Sequence, residues 1–230
     1  MKKIVVLTGA GISAESGIQT FRDADGLWEG HNVMEVASPE GYAANPNLVL
    51  DFYNQRRKQL LSVKPNQAHF NLVKLEKYFD VDIITQNVDN LHEKVGSTKV
   101  THLHGELLKV RSSLDESIVL DWTEDLLLGH LCPKESQLRP HIVWFGEMVP
   151  MLDKAIGIIQ TADILVIIGT SMQVYPAASL INYVQQNIPI YFIDPKPSVT
   201  ENDFNNLTII KKVASSGTDE LIELLKAKKN

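Results

Sequence analysis

Hydrophobic residues in this chain fall into short unbroken runs, separated by stretches in which they recur every three or four positions. The runs are KIVVLTGAG (3–11), VDIITQNVD (81–89), ADILVIIGTS (162–171) and IPIYFIDPKP (188–197). Each is rich in β-branched residues and apolar at consecutive positions, the pattern of a strand buried on both faces. The stretches at about 66–79, 151–161, 176–187 and 217–228 carry helical periodicity. Strands alternating with helices predict an α/β fold, a parallel sheet with helices on both faces. Ligands of such sheets bind beyond the carboxyl ends of the strands. The turns TGAG, TQNVD, GTS and IDP all sit at those ends, so one site can collect all four.

Two stretches break this rhythm. Residues 31–65 read as a helical insertion, in which Asn45 and Pro46 form an N-cap and first-turn pair for a helix running to about 62. At about 100° per residue, Val49, Tyr53, Arg56 and Leu60 fall on one stripe of that helix. Arg56 thus stands within an apolar face, while Arg57 and Lys58 are expected to be solvated. An isolated arginine so placed ordinarily packs its stem and keeps its head in water. Residues 106–140 are polar and irregular and predict a small subdomain or a long excursion. Leu114, Ile118, Leu120, Trp122, Leu126, Leu127 and Leu128 are its candidate apolar core.

Composition narrows the function classes. The 230 residues, 44% apolar and 22% charged, suffice for one good core or a domain with a small insertion. A net charge of −6 gives no support for nucleic-acid binding. The one cysteine, Cys132, rules out an intrachain disulfide and fits a reducing compartment. The apolar core after the initial lysines, Ile4 to Leu7, is shorter than a secretory segment needs. No apolar stretch approaches the roughly 18 residues of a membrane span. A cytoplasmic protein without membrane or nucleic-acid partners is expected.

Gly9, Gly11 and Ala14 satisfy G-x-G-x-x-G/A after the first strand. Such glycines permit a tight turn and close approach of backbone to a pyrophosphate. A tight turn that binds nothing would look the same, and the strand–turn–helix context favours the nucleotide. A dehydrogenase also needs an acidic residue about 20 positions on, at the end of the second strand. Here the next strand ends in Gln86 and Asn87, which disfavours hydride transfer.

Five stretches carry a more specific pattern: GAGISAESGIQTFRDADGLW (9–28), TQNVDNLHEKVGS (85–97), LHGEL (103–107), RPHIVWFGEMVP (139–150) and GTSMQVYPAA (169–178). In this order and spacing, over most of the chain, they resemble the sirtuin family of NAD-dependent protein-lysine deacylases. The resemblance implies one catalytic domain over residues 1–230, with a Rossmann-like core of about 1–30, 66–105 and 141–230. A small domain would be built from two insertions, about 31–65 and 106–140.

It also implies roles. Gly9, Ala10 and Gly11 would contact the NAD pyrophosphate, and Phe21 and Arg22 would lie on the loop over the nicotinamide ribose. Gln86, Asn87 and Asp89 would line the ribose and nicotinamide pocket, and Gly169, Thr170 and Ser171 would hold the adenosine side. Val143, Phe145 and Gly146 would border the channel where acyl-lysine enters. His104 would be the general base, with Asn87 beside the ribose. Imidazole titrates near neutral pH, so its neutral form can take a hydroxyl proton. His102, two residues away, is the internal control. The acyl oxygen would displace nicotinamide from the ribose, and His104 would activate a ribose hydroxyl toward the adduct. Free lysine, nicotinamide and O-acyl-ADP-ribose would result, with NAD consumed as co-substrate. Partners would be acyl-lysine proteins or peptides, and a monomer is expected.

The sequence departs from the resemblance in places. Most sirtuins hold a structural zinc with four cysteines in the small domain, and this chain has only Cys132 there. Ser113 or a neighbour stands where the first pair belongs, and Glu135 stands for the partner of Cys132. One thiolate cannot supply a four-ligand site, so no zinc is expected. His130, Cys132 and Glu135 are an alternative set on paper, and Cys132 as a small hydrophobe is the preferred reading. Asp194 replaces the usual asparagine facing the adenine ribose, and Ser215 is the candidate for a last adenine contact. Finally, the branch that removes succinyl and malonyl groups carries an alanine and Tyr-x-x-Arg, matched here by Ala37, Tyr53 and Arg56. A buried carboxylate needs pairing, and an arginine fork with a tyrosine hydroxyl supplies it. Two further readings share the NAD site: a protein ADP-ribosyltransferase and a non-catalytic NAD or ADP-ribose binding module.

Overall fold

A computed structural model describes residues 1–19, 27–28, 30–204 and 206–227. The elements run β1 (Lys3–Thr8), β2 (Leu27–Trp28), β3 (His31–Asn32), α1 (Val33–Val36), α2 (Pro39–Ala44), α3 (Pro46–Ser62), α4 (Gln67–Leu75), β4 (Asp80–Thr85), α5 (Leu91–Lys94) and β5 (Val100–His102). They continue as β6 (Gly105–Ser112), β7 (Val119–Asp121), β8 (Leu138–Ile142), α6 (Leu152–Ile159), β9 (Ile164–Ile168), β10 (Ile190–Ile193), β11 (Leu207–Ile210) and α7 (Ala214–Ala227).

The apolar run of β1 is buried from Ile4 to Thr8. Alternate residues therefore serve two cores. Ile4 and Val6 pack with Val81, Ile83, Leu72 of α4 and Leu221 of α7. Val5 and Leu7 pack with Leu165, Ile167 and Ile159 of α6. This is the expected parallel sheet with helices on both faces, in the order β11-β10-β9-β1-β4-β5. Chain order reverses at β1, which makes the mouth between β1 and β9 a topological switch point.

Helix boundaries follow local chemistry. The Asn45 side chain caps α3 by accepting from Leu48 N at 3.1 Å, and Pro46 occupies its first turn. Two predicted helices take another form. Gly9 to Ser16 make 3-10 turns over Ala10–Ile12 and Ala14–Ser16, because Ser13 turns inward to Asp89 and Gly17 stops the segment at φ 91°. Ala177–Tyr183 is likewise a 3-10 segment. β5 and β11, short edge strands, escaped the hydrophobic pattern.

The stretch expected to be irregular holds an antiparallel sheet in the order β7-β6-β8. Its core draws on Leu50 of α3, Val110, Leu126, Cys132 and Leu138, with Ile118 and Trp122 alongside. Leu114, Leu120, Leu127 and Leu128, expected in that core, are exposed. The three residues of edge strand β7 are all exposed, so Leu120 has no layer above it.

Arg57 corrects a second expectation. It is 1% exposed rather than solvated. α3 is buried on two sides, one toward Val36, Ile142 and Trp144 and the other toward the small sheet. Arg57 lies at the second contact, where Nη1 donates to Asn54 Oδ1 at 2.7 Å and Nε donates to Leu107 O at 3.2 Å. The second stripe was missed because two of its buried members, Asn54 and Arg57, are polar and only Leu50 is apolar. Lys58 remains outside, paired with exposed Asp125.

Candidate active site

Thr8 of β1 is level with Thr85 of β4 and Ile168 of β9. The next residues, Gly9, Gln86 and Gly169, therefore emerge together. Gly9 N donates to Ile168 O at 3.0 Å and Gly11 N to Gly169 O at 2.8 Å. A Cβ on Gly11 would lie 2.5 Å from Gly169 Cα, and Gly169 itself sits at φ +63°. Only glycine lets these two loops meet back to back. Above them opens a cleft of about 280 Å³, lined by Gly9, Ala10, Gln86, Asn87, Asp89, His104, Gly169, Thr170 and Ser171 among others. Gly11 and Ala14 lie beneath this floor rather than on it. The glycines leave main chain rather than bulky side chains at this floor, which fits a pyrophosphate.

Polar side chains on the floor hold one another. Asn87 Nδ2 donates to Gly9 O and to Ser13 Oγ, each at 3.2 Å. Ser13 Oγ donates to Asp89 Oδ2 at 2.9 Å. Burial pushes the Asp89 carboxyl up, against hydrogen bonds from Leu91 N and Ser13.

The two neighbouring histidines part company. His102 is engaged by Asn87 O at 2.9 Å and by Glu93 Oε1 at 2.8 Å. Burial opposes its charge, but Glu93 raises its pKa overall. His104 opens onto the cleft, and its Nδ1 lies 3.0 Å from Gln86 O. A carbonyl only accepts, so Nδ1 carries the proton and the Nε2 lone pair is left as the base. Burial lowers the His104 pKa, against the Gln86 hydrogen bond, and keeps the ring neutral.

The expected acyl end of the same cleft is lined by Ala37, Tyr53, Arg56, Val143, Trp144, Phe145 and Gly146. Ala37 O accepts from Phe145 N at 2.9 Å, fixing the alanine beside that segment. Tyr53 is fully buried, and Arg56 one turn on has its guanidinium 5.2 Å from the Phe52 ring centre. Ser13, Trp28, Trp144 and Tyr175 also line the cleft, although the sequence reading did not single them out. A serine before a 3-10 turn or an aromatic at a strand end carries no local signal of ligand contact.

Some expected site residues lie elsewhere. Asp194 is buried beyond the end of β10, and its Oδ1 accepts from Lys196 N at 2.8 Å. Ser215 donates its hydroxyl to Glu15 Oε1 at 2.6 Å. Neither lines the cleft. Phe21 and Arg22 lie outside the described residues.

Cys132 Sγ is 3.2 Å from Ser136 Oγ, which is 2.7 Å from Ser112 Oγ, and Lys134 N donates to the sulfur at 3.3 Å. Hydrogen bonds from Ser112 and Ser136 pull the thiol down to about 7, while the side chain packs, as expected of a small hydrophobe, with Leu50, Val110, Leu126 and Leu138. One sulfur and two hydroxyls do not fit a tetrahedral zinc site. Among the described residues no group of three or more His, Cys, Asp or Glu is placed to hold a metal. No helix among them is long and apolar enough to cross a membrane.

Comparison with known proteins agrees with this geometry. The model of the Sir2 family matches residues 9–176. An NAD-dependent protein deacylase of Helicobacter pylori is 63% identical over 196 residues, 85% of this chain and 86% of the relative. One from Bacteroides thetaiotaomicron is 53% identical over 231 residues, 98% of each chain. Among solved structures, a Sir2 homologue–NAD complex superposes with a TM-score of 0.87 at 38% identity, covering 100% of this chain and 91% of that one. A Sir2 structure with 2'-O-acetyl-ADP-ribose and deacetylated p53 peptide gives 0.77 at 30% identity, covering 96% and 93%. With its glycine cradle, its cleft-facing histidine and these relatives, the chain belongs to the Sir2 family, the sirtuins.

Proposed function

We propose that this protein removes acidic acyl groups, succinyl and malonyl, from protein lysines in preference to acetyl. The coarser activity is that of its relatives: it is an NAD-dependent protein deacylase acting on acyl-lysine. NAD supplies the ribose that accepts the acyl group and is consumed.

This chain's residues divide the work. Gly9, Ala10 and Gly169 let the pyrophosphate approach the main chain closely, and Gln86, Asn87 and Asp89 orient the ribose. His104, neutral with Nε2 free, takes a proton from a ribose hydroxyl. Val143, Phe145 and Gly146 flank the entering lysine. The observation that carries the acyl preference is the placement of Tyr53 and Arg56 in the same cleft as His104. A succinyl carboxylate buried there gains a charge-assisted pair with Arg56 and a hydrogen bond from Tyr53. Ala37 leaves room that a larger side chain would fill.

A mass-spectrometric time course with NAD on matched acetyl- and succinyl-lysine peptides tests this. Arg56→Met should lower desuccinylation by about 1.5–3 kcal/mol, roughly 10- to 150-fold, and collapse the succinyl-to-acetyl ratio. Equal losses on both peptides would refute the acyl assignment. Nicotinamide release independent of acyl-lysine would point to ADP-ribosyl transfer, and NAD binding without turnover to a binding module.

A further inference from the structure

A chain of hydrogen-bonded and stacked side chains runs from Glu147 through Arg139 and Trp144 to Tyr53. Glu147 Oε1 accepts from Arg139 Nη1 at 2.6 Å, and Oε2 accepts from Arg139 Nη2 at 3.2 Å and from Trp144 N at 2.8 Å. The Arg139 guanidinium lies over the Trp144 ring, 3.4 Å from its centre. Tyr42 packs on the same indole with centroids 5.2 Å apart. Trp144 then donates its indole N–H to Tyr53 Oη at 3.0 Å. Trp144 and Tyr53 are 2% and 0% exposed.

An indole N–H can only donate, so the Tyr53 oxygen is the acceptor in that bond. A phenol O–H prefers the plane of its ring, where it has two positions. The two ring planes are inclined by only 31°. The indole proton thus approaches near the phenol plane and occupies one of those positions. The Tyr53 proton is left with the other, away from Trp144. Arg139 acts in the same sense, because its positive charge on the indole side favours an oxygen lone pair there. Burial, the largest influence on the phenol, raises its pKa and keeps the proton on.

We propose that Trp144 is a positioning residue that sets acyl specificity. Its indole N–H fixes Tyr53 as a donor, so the pocket favours a terminal carboxylate over a terminal group that must itself donate, such as a carboxamide. This inference rests on the acidic-acyl reading of the site. A Tyr53 released from the indole can turn its lone pair toward the ligand and accept from an amide. A Tyr53 held by it cannot.

The test uses Trp144→Phe, which keeps an aromatic ring and loses the N–H, together with Tyr53→Phe and the double variant. Substrates are peptides of one sequence carrying succinyl-, succinamyl- (the uncharged amide) or acetyl-lysine. Trp144→Phe should lower the succinyl-to-succinamyl and succinyl-to-acetyl ratios of kcat/KM by about five- to tenfold, the scale of one hydrogen bond, mainly through KM. Adding it to Tyr53→Phe should lower the ratios no further. Equal losses on all three peptides, or additive losses in the double variant, would leave Trp144 only a packing role and overturn the proposal. A succinyl-selective wild type whose ratios survive Trp144→Phe overturns this inference alone. A wild type that favours acetyl overturns it together with the acidic-acyl reading. Should Trp144→Phe fail to fold, the indole N–H signals of the wild type and Tyr53→Phe decide. One of the three should exchange with solvent about tenfold faster without the phenol, and unchanged exchange would refute the bond.

Discussion

The floor of the cleft and its acyl end are built on different principles. The floor is backbone: in-register strand ends bring Gly9, Gln86 and Gly169 to one level, and two glycine loops press together where no side chain fits. The acyl end is side chains gathered from far apart, Tyr53 and Trp144 being 91 positions distant. On the function proposed above, backbone holds what every substrate shares, and side chains distinguish one acyl group from another. Catalysis and selectivity should therefore be separable by mutation.

The largest effect belongs to the floor. His104→Ala should lower kcat by about 10²- to 10⁴-fold, the usual worth of a general base, on acetyl and succinyl peptides alike. NAD affinity, measured by calorimetry, should hold. If the loss differed strongly between acyl groups, His104 would belong to selectivity and the comparison would fail. Because burial lowers the His104 pKa, the neutral base persists to lower pH than free imidazole. The acid limb of the kcat profile should accordingly lie below about pH 6.5.

Arg57→Met comes next and touches stability rather than chemistry. Burial pulls the Arg57 pKa down to about 10, so it stays charged at neutral pH. Its removal strips donors from Asn54, Leu107 O and Glu124 O and should cost about 2–4 kcal/mol. Denaturant unfolding should show this while the succinyl-to-acetyl ratio stays put. A changed ratio with intact stability would move Arg57 into the acyl end.

The two regions were unequally legible in the sequence. The floor was readable because its signals are contiguous: an apolar run, then glycine or amide residues at the strand end. Asn87, His104 and Gly169 each lie within a few residues of the strand that positions them. The acyl end was half readable. Tyr53 and Arg56 share one helix face, which periodicity reveals, but the Trp144–Tyr53 bond depends on how a helix and a distant segment cross. Arg57 was misread for a related reason. A period finds an apolar stripe, and the second buried stripe of α3 contains Asn54 and Arg57. The small sheet escaped because its strands are short and its core borrows Leu50 from α3.

A pH experiment sharpens the contrast from below the floor. His69 is buried, its ring centre 5.0 Å from that of His92, whose Nε2 is 3.3 Å from Thr8 Oγ1. Burial holds the His69 pKa at about 4, against the Asn66 hydrogen bond. Its unfolded value is about 6.5, so between those limits the unfolded chain binds more protons than the folded one. The contribution is complete above about pH 6.5 and is lost as pH falls toward 4, about 3 kcal/mol in all. His69→Gln should flatten that slope. Glutamine can keep the reciprocal cap that His69 makes with Asn66. An unchanged slope would place the acid sensitivity elsewhere.

The smallest effect is the neighbour of the two arginines. Lys58 Nζ lies 2.8 Å from Asp125 Oδ2, as close as many buried pairs, but the side chains are 66% and 44% exposed. Water screens such a pair, and holding two long side chains costs entropy, so Lys58→Ala should change stability by less than about 0.5 kcal/mol. Neither turnover nor acyl ratio should move. Arg56, Arg57 and Lys58 are then three consecutive cations with three outcomes: selectivity, stability and neither. A helix turns about 100° per residue, which aims them in turn at the cleft, at the small sheet and at water. Charge is common to all three, so the outcome is set by what each one faces. A large loss from Lys58→Ala would show that charge along this helix matters irrespective of direction, and the separation of the two regions would fall with it.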